Sequence, residues 1–211
     1  MRRLLAALLI ITGLGLLAYP GLRERYYDRR QEELLAAWES HPAVSQAEAG
    51  EEEGRAEEEE AGTPDRSREK YIQENMLGVL VIEKIGLKMP VLKEDSKKNL
   101  NISIAHVAGS AGPGEEGNFV IAGHRMRTYG RHFNRLHELS PGDDIQFIGA
   151  EETYLYRVFE VLLLEEDESW VLEPVEGEKL ISLVTCDYSK KPWLRLVVRG
   201  KLLPPAEDKG G

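Results

Sequence analysis

Three regimes of hydrophobic and polar positions follow one another along the chain. From Leu4 to Leu22 no residue carries a charge, and about 20 such residues span a bilayer as a helix. From Ala43 to Lys70, through "AEAGEEEGRAEEEEAGTPDRSREK", large apolar residues almost vanish. A stretch of that kind buries no core and is expected to be disordered. From Tyr71 onward the pattern changes to short apolar or alternating runs: "LGVLVIEKI", "LKMPVL", "NFVIAGH", "DDIQFIGA", "TYLYRVFEVLLLE", "KLISLVTC" and "WLRLVVRGKLL". Each is bounded by Gly, Pro, Asp, Asn or a charge cluster, as strands are. Seven such runs with little helix between them predict a mainly β domain, an antiparallel barrel or sandwich. Short helices are expected near Ser96–Leu100 and at "RHFNRLHEL", where Phe133, Leu136 and Leu139 recur at three-residue spacing before Pro141-Gly142.

The pattern divides the chain into residues 1–22, a membrane anchor with a short start; 23–70, a charged stalk and acidic linker; 71–204, the folded domain; and 205–211, a tail. A retained anchor is favoured over a cleaved signal peptide, because the apolar run is long and no A-x-A site follows it. "RERYYDRRQEELLAAWES" is expected to extend the anchor as helix up to His41-Pro42, since the residue before proline disfavours helix. A flexible spacer of ~30 residues has a reach of roughly 30 Å, enough to let a tethered domain sweep a surface. Positive charge does not orient the anchor: Arg2 and Arg3 precede it, while Arg23, Arg25, Arg29 and Arg30 follow, offset by Glu24 and Asp28.

Charge changes the picture only at its margins. The formal net charge of −10 argues against nucleic acid as a partner, because non-specific binding there needs Lys and Arg to neutralise phosphates. Seven glutamates between Glu51 and Glu60 supply much of that charge, so it says little about the folded part.

The candidate chemistry lies in "ISLVTCDYSKKPWLRLVVRG", which holds Cys186, the one cysteine of the chain. No intrachain disulfide is therefore available, and an unpaired thiol outside the cytoplasm is a candidate reactive group. Alternation places Ser182, Val184 and Cys186 on one face of a strand. Eight residues including Pro192 separate Cys186 from Arg195, which suggests a hairpin with Arg195 opening the strand beside the thiol. Arg199, four residues further on at ~3.4 Å each, falls roughly 13 Å away and reads as an edge or surface charge. A thiolate nucleophile needs a proton partner and electropositive surroundings. Among the five histidines, His41 lies in the stalk, and His132 and His137 read as surface residues of the short helix. His106 and His124 remain; His124 closes "NFVIAGH" at a strand rim, as Cys186 does.

"SLVTC" followed by an arginine nine positions later, with "GNFVIAGHR" some sixty residues upstream, resembles the sortases, membrane-anchored cysteine transpeptidases of Gram-positive bacteria. The resemblance runs from about Leu77 to Leu203 and implies a closed eight-stranded β-barrel. It implies Cys186 as nucleophile, His124 as proton donor and acceptor, and Arg195 as the group that positions substrate and stabilises the oxyanion. It also implies clients that carry a C-terminal L-P-x-T-G or L-P-x-T-A sorting motif, a cell-wall amine as acceptor, and a cytoplasmic N-terminus with the catalytic domain outside. "HRMRTYGRHFNRLHEL" before "PGDDI" is most similar to class D, and the absence of an Asp-Pro-aromatic lid motif separates the chain from class C. Ser182 stands where the family's box opens with threonine, which keeps a hydroxyl. Ala105, Ser110 and Gly112 replace the usual glycine, threonine and leucine around His106, so a structural role is preferred there.

No cofactor is expected. The acidic run Glu165, Glu166, Asp167 and Glu168 has oxygen ligands suited to Ca²⁺, yet adjacent carboxylates lack the interleaved spacing of a dedicated loop, and solvation is the preferred reading. Trp170 and Trp193 either line a peptide groove or pack on the barrel. Two rival functions are a papain-like surface peptidase and a tethered, non-catalytic β-domain. The first usually places its cysteine at a helix N-terminus and ahead of its histidine; the second has no use for three reactive groups at strand rims.

Overall fold

The computed structural model describes residues 2–39, 74–126, 132–189 and 191–204, with side chains from residue 9 onward. The boundaries expected near His41-Pro42 and Tyr71, the linker and the C-terminal tail lie outside the described residues. The first element is the helix α1 (Arg2–Glu39). Among the described residues no helix is long and apolar enough to cross a membrane.

Among the described residues eight strands follow: β1 (Met76–Ile82), β2 (Leu87–Leu92), β3 (Ile104–His106), β4 (Gly117–Ala122), β5 (Asp144–Ile148), β6 (Thr153–Leu164), β7 (Lys179–Asp187) and β8 (Leu194–Leu202). They close into a barrel in the order β1-β2-β3-β4-β7-β8-β6-β5, with β5 returning to β1 through Val79 opposite Ile148. Closure leaves no sheet edge exposed. Seven of the eight strands coincide with the seven apolar runs; β3, three residues long, is the addition. The sheet is not wholly antiparallel, as expected, but mixed, with β2–β3 and β4–β7 parallel. Parallel neighbours require long crossovers, and the chain between β4 and β7 supplies one through β5 and β6.

Alternation along the strands turns Leu80, Ile82, Phe119, Ile121, Phe147, Tyr156, Ile181, Leu183 and Val198 into one fully buried core. The short helix α2 (Lys97–Ile102) is capped by Ser96, whose hydroxyl accepts from the Asn99 amide. The segment Phe133–Glu138 is a 3-10 helix that buries Phe133 and Leu136, in keeping with their three-residue spacing.

The C-terminal end of α1 is docked on the barrel. Leu34, Ala37 and Trp38 pack with Met76, Val79, Leu92, Ile102 and Ala105 in a second apolar cluster, and Lys88 Nζ meets Glu39 at 2.6 Å. Residues 40–73 therefore connect two points held against the same body.

Candidate active site

The hairpin expected from the sequence is present, and its register decides the site. In the antiparallel β7–β8 pair, Cys186 stands directly opposite Arg195. Arg195 Nη1 donates to Cys186 Sγ at 2.5 Å, and Nη2 donates to the Glu166 carboxylate. The two arms of one guanidinium thus hold a thiol and an acid together. The thiol is partly buried and unpaired.

On the other side of β7, the parallel pairing with β4 sets Ala122 opposite Val184. Past the strand end, the Gly123 N–H still donates to the Val184 carbonyl at 3.0 Å. Equal advance along parallel neighbours brings His124 level with Cys186. Gly123 makes that approach: a Cβ there would lie 2.7 Å from Ile104 Cγ2 and from Phe133 Cδ2. His124 is half-buried, and burial lowers its pKa from the ordinary 6.5 because desolvation disfavours the charged imidazolium. It faces a cleft of about 360 Å³ that α1 helps to enclose with Tyr19, Arg23 and Tyr27.

Backbone pairing therefore sets Cys186 opposite Arg195 and carries the His124 segment to the same end of the barrel. Arg125, Asp187, Tyr188 and Ser189, which surround these groups, were not read from the sequence. Arg125 Nη1 donates to Asp187 Oδ1 at 2.6 Å, and the Ser189 amide donates to the same oxygen at 2.8 Å. Burial pushes the Asp187 carboxyl up, but the Ser189 contacts and the Arg125 guanidinium outweigh it and hold its pKa below the usual value. The neighbouring Cys186 thiol and burial both raise the pKa of the Tyr188 phenol. Trp193 stacks edge-on against Tyr188, with ring centres 5.4 Å apart. Each of these residues adjoins or flanks a predicted one in sequence, and that adjacency was the available signal.

Three expectations change. Arg199 is not a surface charge: it is 9% exposed, pairs with Glu160 at 3.0 Å, and lies over the rings of Phe159 and Trp170. Alternation located it correctly on the thiol's face, but aromatic rings cover the guanidinium, which stacks well on them. His132 is likewise buried, at 4% exposure, because its backbone bridges Arg125 and adopts a φ of +47°. Glu166 is exposed yet engaged with Arg195, so it is more than solvated surface. His137 is exposed. His106 Nε2 lies 2.9 Å from Ser110 Oγ and 3.0 Å from the Ala111 carbonyl, bonds that hold its own loop. In the acidic run, the Glu165 amide donates to Glu168 Oε2 at 2.8 Å. Among the described residues no three His, Cys, Asp or Glu side chains are placed to hold a metal ion.

A family model described as "Sortase domain" matches residues 80–203, more than half of the chain. The chain belongs to the sortase family. Sortase A of Bacillus anthracis is 33% identical to this sortase over 131 residues, 62% of this chain and 61% of that protein. Sortase D of Bacillus subtilis is 24% identical over 59% of this chain and 62% of its own length. The match spans about six tenths of the length of these curated relatives. Among solved structures, sortase C1 of Streptococcus agalactiae superposes with a TM-score of 0.58 at 33% identity, covering 63% of this chain and 69% of that one. A Clostridium perfringens sortase D5 shares the fold, with a TM-score of 0.60 at 24% identity over 84% of this chain and 98% of that one.

Proposed function

We propose that this sortase is a cysteine transpeptidase that cleaves an extended sorting motif of the L-P-x-T-G or L-P-x-T-A kind. The observation that carries the reading is the register of Cys186 against Arg195, with the guanidinium on the sulfur and His124 level with it on the next strand. The Cys186 thiolate attacks the scissile carbonyl, and the carbon–sulfur bond forms as the carbonyl π electrons move onto oxygen. The Arg195 guanidinium donates to that oxyanion. The His124 imidazolium protonates the departing amine, which leaves far more readily neutral than as an anion. An acceptor amine, supplied by a cell-wall precursor, gives up a proton to His124 as it attacks the thioester, and Cys186 is regenerated.

Burial lowers the pKa of His124, so its imidazolium gives up a proton to the departing amine more readily, while a smaller share of it is protonated at neutral pH. The apolar stretch Leu4–Leu22 serves as an anchor in this proposal, with the N-terminus cytoplasmic and the barrel outside the cell. The end of that stretch, Tyr19 and Pro20, lines the His124 cleft, which in this proposal sets the site close to the membrane surface.

Incubation with a labelled sorting peptide and hydroxylamine tests the chemistry. Peptide hydroxamate is expected from the wild-type chain, and none from Cys186→Ala. Hydrolysis without exchange identifies a peptidase instead, and no reaction at all identifies a binding domain. Turnover by Cys186→Ala removes the thiol from the mechanism.

A further inference from the structure

The residues immediately after the two central groups of the site are joined to each other. Ala122 is opposite Val184, and His124 is level with Cys186; one step further, Arg125 meets Asp187 through a 2.6 Å ion pair. The ladder of backbone hydrogen bonds between β4 and β7 has run out by this point, because β4 ends at Ala122. The last backbone link, from Gly123 to Val184, lies before both reactive residues. Beyond it, the described contact that ties the His124 segment to the Cys186 segment is the ion pair.

The pair is built rather than casual. The Asp187 side chain is 9% exposed and that of Arg125 is 20% exposed. Asp187 is oriented further by the Ser189 amide, and Arg125 by an antiparallel bridge between its backbone and that of buried His132. Exposed ion pairs contribute little and tolerate loss. Breaking a shielded one leaves an uncompensated buried charge, so its two segments separate or rearrange.

We propose that Arg125 and Asp187 form a positioning clamp that sets the spacing between the His124 imidazole and the Cys186 thiol. Neither side chain touches substrate in this role; both act through the residue before them. A misplacement of about 1 Å in a reacting pair costs on the order of 10²-fold in rate, so a contact one residue away has leverage on turnover. The charged and titratable groups around the thiol are Arg195, Glu166, Tyr188, His124, Arg125 and Asp187 itself. The clamp must therefore be told apart from a simple field effect on the sulfur.

Opposite charge changes make that distinction. Asp187→Asn removes a negative charge and Arg125→Gln a positive one, so a field effect on Cys186 moves in opposite directions in the two variants. A spacing effect moves in the same direction. With sorting peptide and hydroxylamine, each variant is expected to lower kcat about 10- to 100-fold with KM within twofold. The double variant is expected to be no worse than the poorer single one, as coupled residues behave, and Arg125→Lys to recover part of the loss. Opposite shifts in the two single variants, unchanged kcat, a rise in KM alone, or losses that multiply would each overturn the clamp. If Asp187→Asn does not fold, Arg125→Gln and Arg125→Lys, at the more exposed partner, make a second comparison: lysine restores a field effect in full and a spacing effect only in part.

The inference rests on the transpeptidase reading, so a second readout is independent of turnover. In a His124→Cys background, mild oxidation is expected to join the introduced thiol to Cys186, since neighbouring strands bring Cα atoms within disulfide range. Both clamp variants should slow that bond about tenfold or more. Wild-type chain inactive on every sorting peptide, yet clamp-dependent in this crosslinking, would sink the functional reading and leave the clamp standing. Crosslinking equally fast with and without the clamp would sink the clamp alone.

Discussion

At the scale of single residues, the two arms of Arg195 separate an essential contact from a dispensable one. Nη1 reaches Cys186 inside the rim, whereas Nη2 reaches Glu166, whose side chain is 78% exposed. Lysine retains the charge but lacks the planar fork, so it cannot hold sulfur and oxyanion together. Arg195→Lys is expected to lower kcat/KM by about 10²- to 10³-fold, the usual range for losing an oxyanion donor. Glu166→Gln removes an exposed ion pair, which is worth at most ~1 kcal/mol. It should raise kcat/KM by less than about fivefold, by freeing Nη2 for substrate, and the gain should fade in high salt. Steady-state rates for both variants at two salt concentrations check the contrast; near-normal Arg195→Lys rates would make Arg195 structural. The residues at this scale were unevenly legible. Cys186 and Arg195 could be paired because alternation and a proline-bearing loop dictate a hairpin, and hairpin partners are close in sequence. The burial of Arg199 was not legible, because Phe159 and Trp170, the rings that cover it, come from another strand and its following loop.

At the scale of elements, the decisive pairing is the parallel contact of β4 with β7. Alternation reveals that each is a strand and which face is apolar, but it carries no information on the direction of a partner some sixty residues away. The family resemblance, rather than periodicity, brought His124 to Cys186. β3 escaped for a different reason: three residues are too few to establish a period of two. Sequence also left Gly123 without a stated purpose, although it follows directly from the packing. With Ile104 and Phe133 both fully buried and a Cβ clash at 2.7 Å from each, neither side chain has room to retreat. Gly123→Ala is expected to cost about 1–3 kcal/mol, the range for overpacking a filled core. It should also displace His124, so turnover falls further than the unfolded fraction explains. Denaturant titration beside single-turnover rates measures both effects. A stability loss with intrinsic activity unchanged would show that the strand end tolerates the shift without moving the imidazole.

For the whole molecule, the question is what holds the barrel to its helix. Composition suggested that residues 43–70 form a tether whose length sets the domain's reach. The docking of α1 transfers that role to a packed seam, where Trp38 is 6% exposed against β1 and β2. With both ends fixed, the connecting segment is expected to enter the stability only through closure entropy, which grows slowly with length. Excising the ten residues 51–60 from the 34 between the described ends changes that term by about 0.3 kcal/mol. Trp38→Ala, in contrast, removes a large side chain from a filled seam and is expected to cost about 3–5 kcal/mol. Thermal unfolding of the full chain should therefore leave the excision variant within about two degrees of wild type and lower Trp38→Ala by far more. Because α1 also encloses the His124 cleft through Tyr19, Arg23 and Tyr27, undocking it should open that cleft, and Trp38→Ala should alter KM even at temperatures where it is fully folded. If the excision destabilises as strongly as the tryptophan change, the acidic segment makes contacts of its own and the seam is not what joins helix to barrel.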